Sequence, residues 1–242
     1  GDHFNGTDEA MSYVTEVIQN KIGGTAKVLI EEKAIGEEFT LQAFTDGSHL
    51  APLPAVQDHK RLLPDDKGPN TGGMGSYSCA NGLLPFLTQH EYDEGVTTLQ
   101  KIVSALAKEK CTYIGPIYGQ FIITANGVKI IEVNARFGDP EAMNVLPLLQ
   151  TDFMEVCTAM LDGTLSKKDI QMEKKSTVCK YVVPEGYGIK SMVGETIDVN
   201  EDAIRQEGAM LFYASVTKKN NHIMTGSSRS LAVVGITDEL AE

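Results

Sequence analysis

The sequence predicts an α+β fold, an antiparallel sheet backed by helices and followed by a smaller, mostly β region. Three observations carry this. The turn signals Asp46-Gly47 and Ala125-Asn126-Gly127 each join strand-like runs. Asp8–Ile22, the run after Thr88 and Asp152–Asp162 carry apolar residues at helical spacing. Beyond a lysine-rich connector, Lys167-Lys168 to Lys174-Lys175, only short strand-like runs follow.

Asp8–Ile22 reads as an amphipathic helix with Ala10, Met11, Val14, Val17, Ile18 and Ile22 on one face, Thr7 as its N-cap and Gly23-Gly24 as its stop. Strands are expected over Lys27–Lys33 and Glu38–Thr45, and a third runs from the Asp46-Gly47 turn to near Val56. Gln57–Ser78, rich in Gly, Pro, Asn and Asp, reads as a long loop, and ordered loops of that length are usually functional. Thr88-Gln89-His90-Glu91 is a capping box opening a helix with Tyr92, Val96, Leu99, Val103 and Leu106 inward. Tyr118–Thr124 and Val128–Val133 form a second hairpin. The helix Asp152–Asp162 is expected to bury Phe153, Val156, Cys157, Met160 and Leu161, with Thr151 as cap and Gly163 just past its end. Strands follow over Thr177–Val183, Thr196–Val199, Met210–Val216 and Ser230–Ile236, and Thr237–Glu242 resembles the first turn of a helix.

Composition narrows the function. A net charge of −12 argues against a nucleic-acid partner, whose affinity would rest on phosphate neutralisation. No apolar run approaches the ~18 residues of a membrane span, and Gly1–Thr7 has no signal-peptide character. A cytoplasmic protein without membrane or nucleic-acid partners is expected. Cys79, Cys111, Cys157 and Cys179 lack metal-site spacing and read as reduced, buried small residues.

Glu132-Val133-Asn134-Ala135-Arg136 is the sharpest chemical signal. Strand alternation puts Glu132, Asn134 and Arg136 on one face, where a carboxylate and an amide oxygen can share a hard cation such as Mg²⁺ and Arg136 can meet a phosphate. If the Ala125–Gly127 loop has three residues, Gln120 lies opposite Glu132 and joins that face; a two-residue loop turns it away. Taken alone, the pattern also fits the wet face of an amphipathic strand. The sequel, Phe137-Gly138-Asp139-Pro140-Glu141, adds two carboxylates beside Arg136, which a purely structural strand does not need. Upstream, Gln57-Asp58-His59-Lys60-Arg61 groups three potential cations and runs past Asp65, Asp66 and Lys67 into Gly68-Pro69-Asn70-Thr71-Gly72-Gly73-Met74-Gly75. Its glycines let backbone N–H groups approach an anion; by itself such a stretch also fits a plain surface loop. Val28–Ala34, ending in Glu31, Glu32, Lys33 and Ala34, offers an edge to an adenine, and Glu38 can accept from ribose hydroxyls.

On Val28–Glu38 (VLIEEKAIGEE), Gln57–Arg61 (QDHKR), Gly68–Tyr77 (GPNTGGMGSY) and Ile131–Glu141 (IEVNARFGDPE), the chain resembles the glycinamide ribonucleotide synthetase (phosphoribosylamine–glycine ligase) family of ATP-grasp enzymes. The resemblance covers nearly the whole chain. It implies a remnant of the ATP-grasp small lobe over 1–30, the large lobe over 31–170 and a truncated β-rich C-terminal domain over 171–242. It also implies ATP-dependent joining of glycine to 5-phosphoribosylamine through a glycyl phosphate, in purine biosynthesis. Arg136 and Lys60 would then be catalytic, and Glu31, Glu32, Lys33, Ala34 and Glu38 would bind the nucleotide. Glu132, Asn134 and Gln120 would bind Mg²⁺ or Mn²⁺. Asp58, His59, Arg61, Asn70, Thr71, Gly72, Gly73, Met74, Gly75, Asp139, Pro140, Glu141 and Arg229 would hold the substrates. The chain departs from the family in three ways. It begins after the glycine-rich phosphate loop, so tight ATP binding and turnover by the chain alone are not expected. Gln120 stands where many ATP-grasp enzymes have a carboxylate and, with Cys179–Tyr187 (CKYVVPEGY), is similar to the archaeal branch. Thr225–Arg229 (TGSSR) replaces a Ser-Gly-Gly-Arg stretch. Another ATP-grasp ligase or carboxylase, or a non-catalytic nucleotide-binding fragment, remains the alternative.

Overall fold

The computed structural model describes residues 6–24, 27–65 and 67–240, in two units that part between Ile35 and Gly36. Three expectations touch residues outside these: the leaderless start at Gly1–Asn5, the loop acid Asp66, and the last two residues of a helical turn over 237–242.

In the first unit, helix α1 (Thr7–Asn20) begins from an extended Gly6 with no side-chain cap, so Thr7 is its first residue rather than its N-cap. It ends where Lys21 turns left-handed (φ 48°), ahead of a 3-10 turn at Ile22–Gly24. Met11, Ile18 and Ile22 on its apolar stripe are exposed. The strand expected over Lys27–Lys33 is absent: residues 27–35 carry no ladder and leave Leu29 and Ile30 in solvent. A β-prone run becomes a strand only where a neighbour takes up its backbone groups.

The second unit opens with β1 (Gly36–Thr45), which turns through Asp46–His49 into β2 (Leu50–Pro52). The buried Asp46 carboxylate accepts from Ser48 N (2.9 Å), His49 N (2.7 Å) and, across the fold, Leu165 N (3.3 Å). The strand expected to reach Val56 stops at Pro52, and Val56 makes only an isolated bridge to Thr40.

The stretch expected as a loop over Gln57–Ser78 is a hairpin, β3 (Gln57–Leu63) and β4 (Lys67–Ser78). Its glycines serve close packing: a Cβ on Gly75 would sit 2.6 Å from the Cys179 carbonyl oxygen on the next strand. The ladder shifts register twice, between His59 and Arg61 and between Arg61 and Leu63, and the larger shift is the first. His59 pairs with Gly75 and Arg61 with Asn70, so Lys60 alone faces the four residues Thr71–Met74, which bulge out of β4.

Helix α2 (Gln89–Lys108) has the predicted capping box between Thr88 and Glu91. It lays Leu99 and Val103 on Phe39, Leu41 and Phe121 of the sheet, and Phe39 stacks on Phe121 at 5.3 Å between centroids. Strands β5 (Gly115–Thr124) and β6 (Gly127–Asn134) are joined by two residues, since Thr124 pairs with Gly127. The three-residue premise therefore fails, yet a bulge at Ile131 restores the Gln120–Glu132 pair. The resulting sheet has the order β2-β1-β5-β6.

After a turn come α3 (Ala142–Val145) and α4 (Phe153–Leu161). Asp152, not Thr151, caps α4, accepting from Met154 N (2.8 Å) and Glu155 N (3.3 Å), while Thr151 ties to the backbone of Asp169 and Gln171. Val156, Ala159 and Met160 are buried on this helix, but Phe153 and Leu161 are exposed. Gly163 takes the left-handed conformation expected past the helix end (φ 66°). Of the cysteines, Cys179 is buried and Cys111 exposed.

Strand β7 (Ser176–Val182) is followed by β8 (Thr196–Ile197), α5 (Glu201–Gln206), β9 (Met210–Tyr213), β10 (Val216–Lys219), β11 (His222–Thr225) and β12 (Leu231–Thr237). Helix α5, capped by Asn200, was not foreseen, and the run Met210–Val216 breaks into β9 and β10 in separate sheets. Residues 238–240 form bends and a turn, not a helix. The larger sheet, β3-β4-β7-β12-β9, crosses the border expected near residue 170; β10-β11-β8 form the smaller one.

Candidate active site

The polar side chains converge on one face of the β1-β5-β6 sheet. Period-two alternation puts Glu38, Thr40 and Gln42 of β1 on this face, and register sets Gln120 beside Thr40 and Tyr118 beside Gln42. The same ladder sets Glu132 beside Gln120 and Asn134 beside Tyr118. Thr40, Gln42, Gln120 and Tyr118 are buried, because the turn after β6 folds back over them.

That turn is held from several sides. Gly138 N donates to Gln42 Oε1 (2.7 Å). The buried Glu141 brings Oε1 to the hydroxyls of Tyr118 (2.9 Å) and Thr40 (3.2 Å). Both hydroxyls also reach Gln120 Oε1, Thr40 at 3.0 Å. Gln120 Nε2 donates to Glu38 Oε2 (2.9 Å). Lys60 Nζ lies 3.4 Å from the same Glu38 oxygen and 3.9 Å from Asp58 Oδ2. A chain of contacts thus runs from Asp58 and Lys60 through Glu38 and Gln120 to Glu141.

Burial, and then the Asp58 charge, push the Glu141 carboxyl above the usual carboxylate range. Asp58 is raised by burial and by Glu38 against the pull of Lys60. Lys60 is raised despite partial burial, because Asp58, Glu38 and Glu132 surround its ammonium.

Glu132 and Asn134 fall on one face, as strand alternation predicts, and Asn134 Nδ2 donates to Glu132 Oε1 at 3.0 Å, with Glu132 exposed. Among the described residues, no three His, Cys, Asp or Glu side chains converge on a metal position. A carboxylate and an amide oxygen nonetheless fit Mg²⁺, which keeps most of its positions for water and phosphate.

The arginine placement differs from expectation. Arg136 is exposed and donates to the Phe137 carbonyl (2.9 Å). Asp139 pairs instead with Arg229 (2.9 Å), and Glu141 turns inward, so the predicted acid cluster around Arg136 is not formed. Arg229 also donates to the carbonyls of Gly72 (2.8 Å) and Gly73 (3.0 Å) in the β4 bulge.

Residues 4–142 match the phosphoribosylglycinamide synthetase ATP-grasp (A) domain, and residues 177–242 match the phosphoribosylglycinamide synthetase C domain. The chain belongs to the phosphoribosylglycinamide synthetase family. It is 51% identical over 240 residues to the phosphoribosylamine–glycine ligase of Methanothermobacter thermautotrophicus, covering 99% of this chain and 55% of the relative. It is 52% identical over 242 residues to that of Methanobrevibacter smithii, covering all of this chain and 55% of the relative. The crystal structure of phosphoribosylamine–glycine ligase from Thermotoga maritima superposes with a TM-score of 0.83 at 25% identity, over 99% of this chain and 58% of that one. The chain spans about half the length of the curated relatives it matches, and its fold is ATP-grasp.

Within this phosphoribosylglycinamide synthetase fold the expected site residues are distributed unevenly. Glu38, Asp58, Lys60, Gln120, Glu132, Asn134 and Glu141 share the polar sheet face. Thr71–Met74, Asp139, Pro140 and Arg229 meet beside it. Arg61 donates to the Gly68 carbonyl (2.9 Å) at the hairpin end, and His59 stacks on Tyr77 at 6.1 Å. Glu31–Ala34 lie in the first unit. Thr40, Gln42 and Tyr118 went unpredicted. The signal for the first two was the alternation Phe39-Thr40-Leu41-Gln42-Ala43, which reads as an ordinary half-wet strand. Among the described residues no helix is long and apolar enough to cross a membrane.

Proposed function

We propose that this chain forms part of a ligase that joins glycine to 5-phosphoribosylamine, giving glycinamide ribonucleotide, ADP and phosphate, in purine biosynthesis. The observation that carries the reading is the GPNTGGMG strand held by Arg229 against the Gly138–Glu141 turn, next to Glu132 and Asn134. A glycine carboxylate oxygen attacks the γ-phosphorus of ATP and releases ADP. The amine of phosphoribosylamine then attacks the acyl carbon, loses a proton and expels phosphate. Such chemistry needs positioning and charge neutralisation rather than a covalent protein intermediate.

Glu132 and Asn134 would hold Mg²⁺ or Mn²⁺, which neutralises phosphate charge when bound. Gln120 already has two hydroxyls on its oxygen and Glu38 on its nitrogen, so we assign it to orienting Glu38 toward a ribose. Exposed Arg136 is free to swing to the γ-phosphate. Lys60 and Asp58, next to Glu38, would serve glycine and the amine together with the amides and side chains of Asn70–Gly75, His59 and Asp139–Glu141. Glu31, Glu32, Lys33 and Ala34 would meet the adenine. Residues 31–170 and 171–242 would act as large lobe and C-terminal domain sharing the five-stranded sheet.

The test combines this chain with the portion of the Methanobrevibacter smithii relative that it does not match, and follows ADP release. Release that requires glycine and phosphoribosylamine together and vanishes in Glu132→Ala supports the ligase. Release driven by a different acid points to a sister ATP-grasp enzyme. A verified complex that releases no ADP leaves a non-catalytic nucleotide-binding role.

A further inference from the structure

We infer that Arg229 is a positioning residue that fixes the Thr71–Met74 bulge of β4 against the Asp139–Pro140 turn, so that both segments are set from the β11–β12 connection. Its guanidinium is committed to protein acceptors. Nη1 donates to the carbonyls of Gly72 (2.8 Å), Gly73 (3.0 Å) and Asp139 (3.0 Å), and Nη2 to Asp139 Oδ2 (2.9 Å). The planar group lies 4.5 Å from the centroid of the Tyr181 ring, whose hydroxyl donates to the other Asp139 oxygen (2.5 Å). With its side chain 12% exposed, Arg229 would have to abandon these bonds to meet a substrate phosphate.

The glycine pair is shaped to this contact. A Cβ on Gly72 would sit 3.1 Å from Arg229 Nη2. A Cβ on Gly73, whose φ is 110°, would meet Pro140 Cδ at 2.6 Å and Arg229 Nη1 at 3.5 Å. Bare backbone lets one fork gather carbonyls from two segments. Lysine, a point charge without a planar fork, cannot reproduce the arrangement. The bulge is tied on its other side as well, since Thr71 Oγ1 donates to the Lys60 carbonyl (2.7 Å) and accepts from Gly73 N (3.1 Å). The Thr71–Met74 backbone, which carries the proposed substrate contacts, is therefore pinned between Lys60 and Arg229.

Which ligands feel this pinning rests on the ligase reading, so the decisive measurement avoids it. Amide hydrogen exchange on the chain without ligand should speed up about tenfold at residues 71–75 and 138–142 in Arg229→Lys, with β1 and β5 unchanged. Tyr181→Phe keeps the ring under the guanidinium and removes only the bond to Asp139; it should show a smaller change in the same two segments. Unchanged exchange in both variants would overturn the proposal. In the two-part assembly, Arg229→Lys should raise KM for glycine and for phosphoribosylamine together, with kcat moved less. A rise confined to the phosphate-bearing substrate would mark Arg229 as a phosphate ligand instead. If the unaltered assembly releases no ADP, the ligase reading fails while the exchange result still decides the role of Arg229.

Discussion

Strand β1 has two buried faces of opposite chemistry. On one, Phe39, Leu41 and Ala43 pack with Phe121 under helix α2. On the other, Thr40 and Gln42 are as deeply buried, yet meet Gln120, Tyr118, Glu141 and the Gly138 amide. The first face is stabilised by area removed from water, without direction. The second is held by oriented bonds, and each polar group on it costs free energy if its partner is lost. A sheet thus carries its core on one side and, on the other, a buried polar layer that borders the exposed Glu132 and the half-exposed Lys60 and Glu38.

The contrast predicts different responses to truncation. Leu41→Ala should lower unfolding stability by about 2–5 kcal/mol through lost transfer energy and a cavity, read from urea midpoints at constant slope. A loss under ~1 kcal/mol would mean that the apolar face is loosely packed. Thr40→Val keeps the shape and exchanges the hydroxyl for a methyl, so on an apolar face it would stabilise. Here it should cost about 1–3 kcal/mol, because the one remaining hydroxyl proton, that of Tyr118, cannot serve both Gln120 and Glu141. A stabilised Thr40→Val would break the comparison outright.

The same contrast explains what the sequence made legible. The capping box at Thr88, the presence of a hairpin at Asp46-Gly47 and at Ala125–Gly127, and the shared face of Glu132 and Asn134 follow from local rules that structure rarely overrides. The polar face of β1 was hidden, because its lid, the turn 138–141, comes from about 100 residues downstream. Strand β4 was hidden for a different reason. Its glycines have the composition of a loop, but here they allow the approach of Cys179 and the Arg229 guanidinium. Assigning the acids Asp139 and Glu141 to Arg136 by proximity in sequence overlooked Arg229, 90 residues further along. Thr151 and Asp152 are both competent caps, and the Thr151 hydroxyl is instead taken up by the backbone of Asp169 and Gln171, contacts invisible to local sequence.

Charge on the polar face gives a pH signature that the apolar face lacks. Burial and Asp58 raise the Glu141 carboxyl above its ordinary 4.5. Its contribution is therefore fully present with the proton on, at and below pH 4.5, and is lost as pH rises through the raised folded-state value. Asp58 shifts the same way from 3.8. Glu141→Gln should flatten part of that decline, so variant and parent converge in melting temperature near pH 4 and the variant gains on the parent toward pH 8. Parallel curves across this range would mean that Glu141 stays ionised at no cost.

The smallest effect tests whether the polar face acts as a unit. Thr40 and Tyr118 each reach both Gln120 Oε1 and Glu141 Oε1, so two hydroxyl protons serve two acceptors. Losing either hydroxyl leaves the other free to turn to Glu141, the acceptor that matters most because bonds to a charged group are the stronger ones. Only the double variant Thr40→Val/Tyr118→Phe leaves the carboxylate without either donor. The hydroxyls also touch each other at 3.2 Å, and losing that bond in each single variant would make the double cost less than the sum. A long neutral bond is worth less than a bond to a carboxylate, so the double should exceed the sum of the singles by about 0.5–1 kcal/mol. Strict additivity in the unfolding free energies would show two independent hydroxyls that happen to be neighbours.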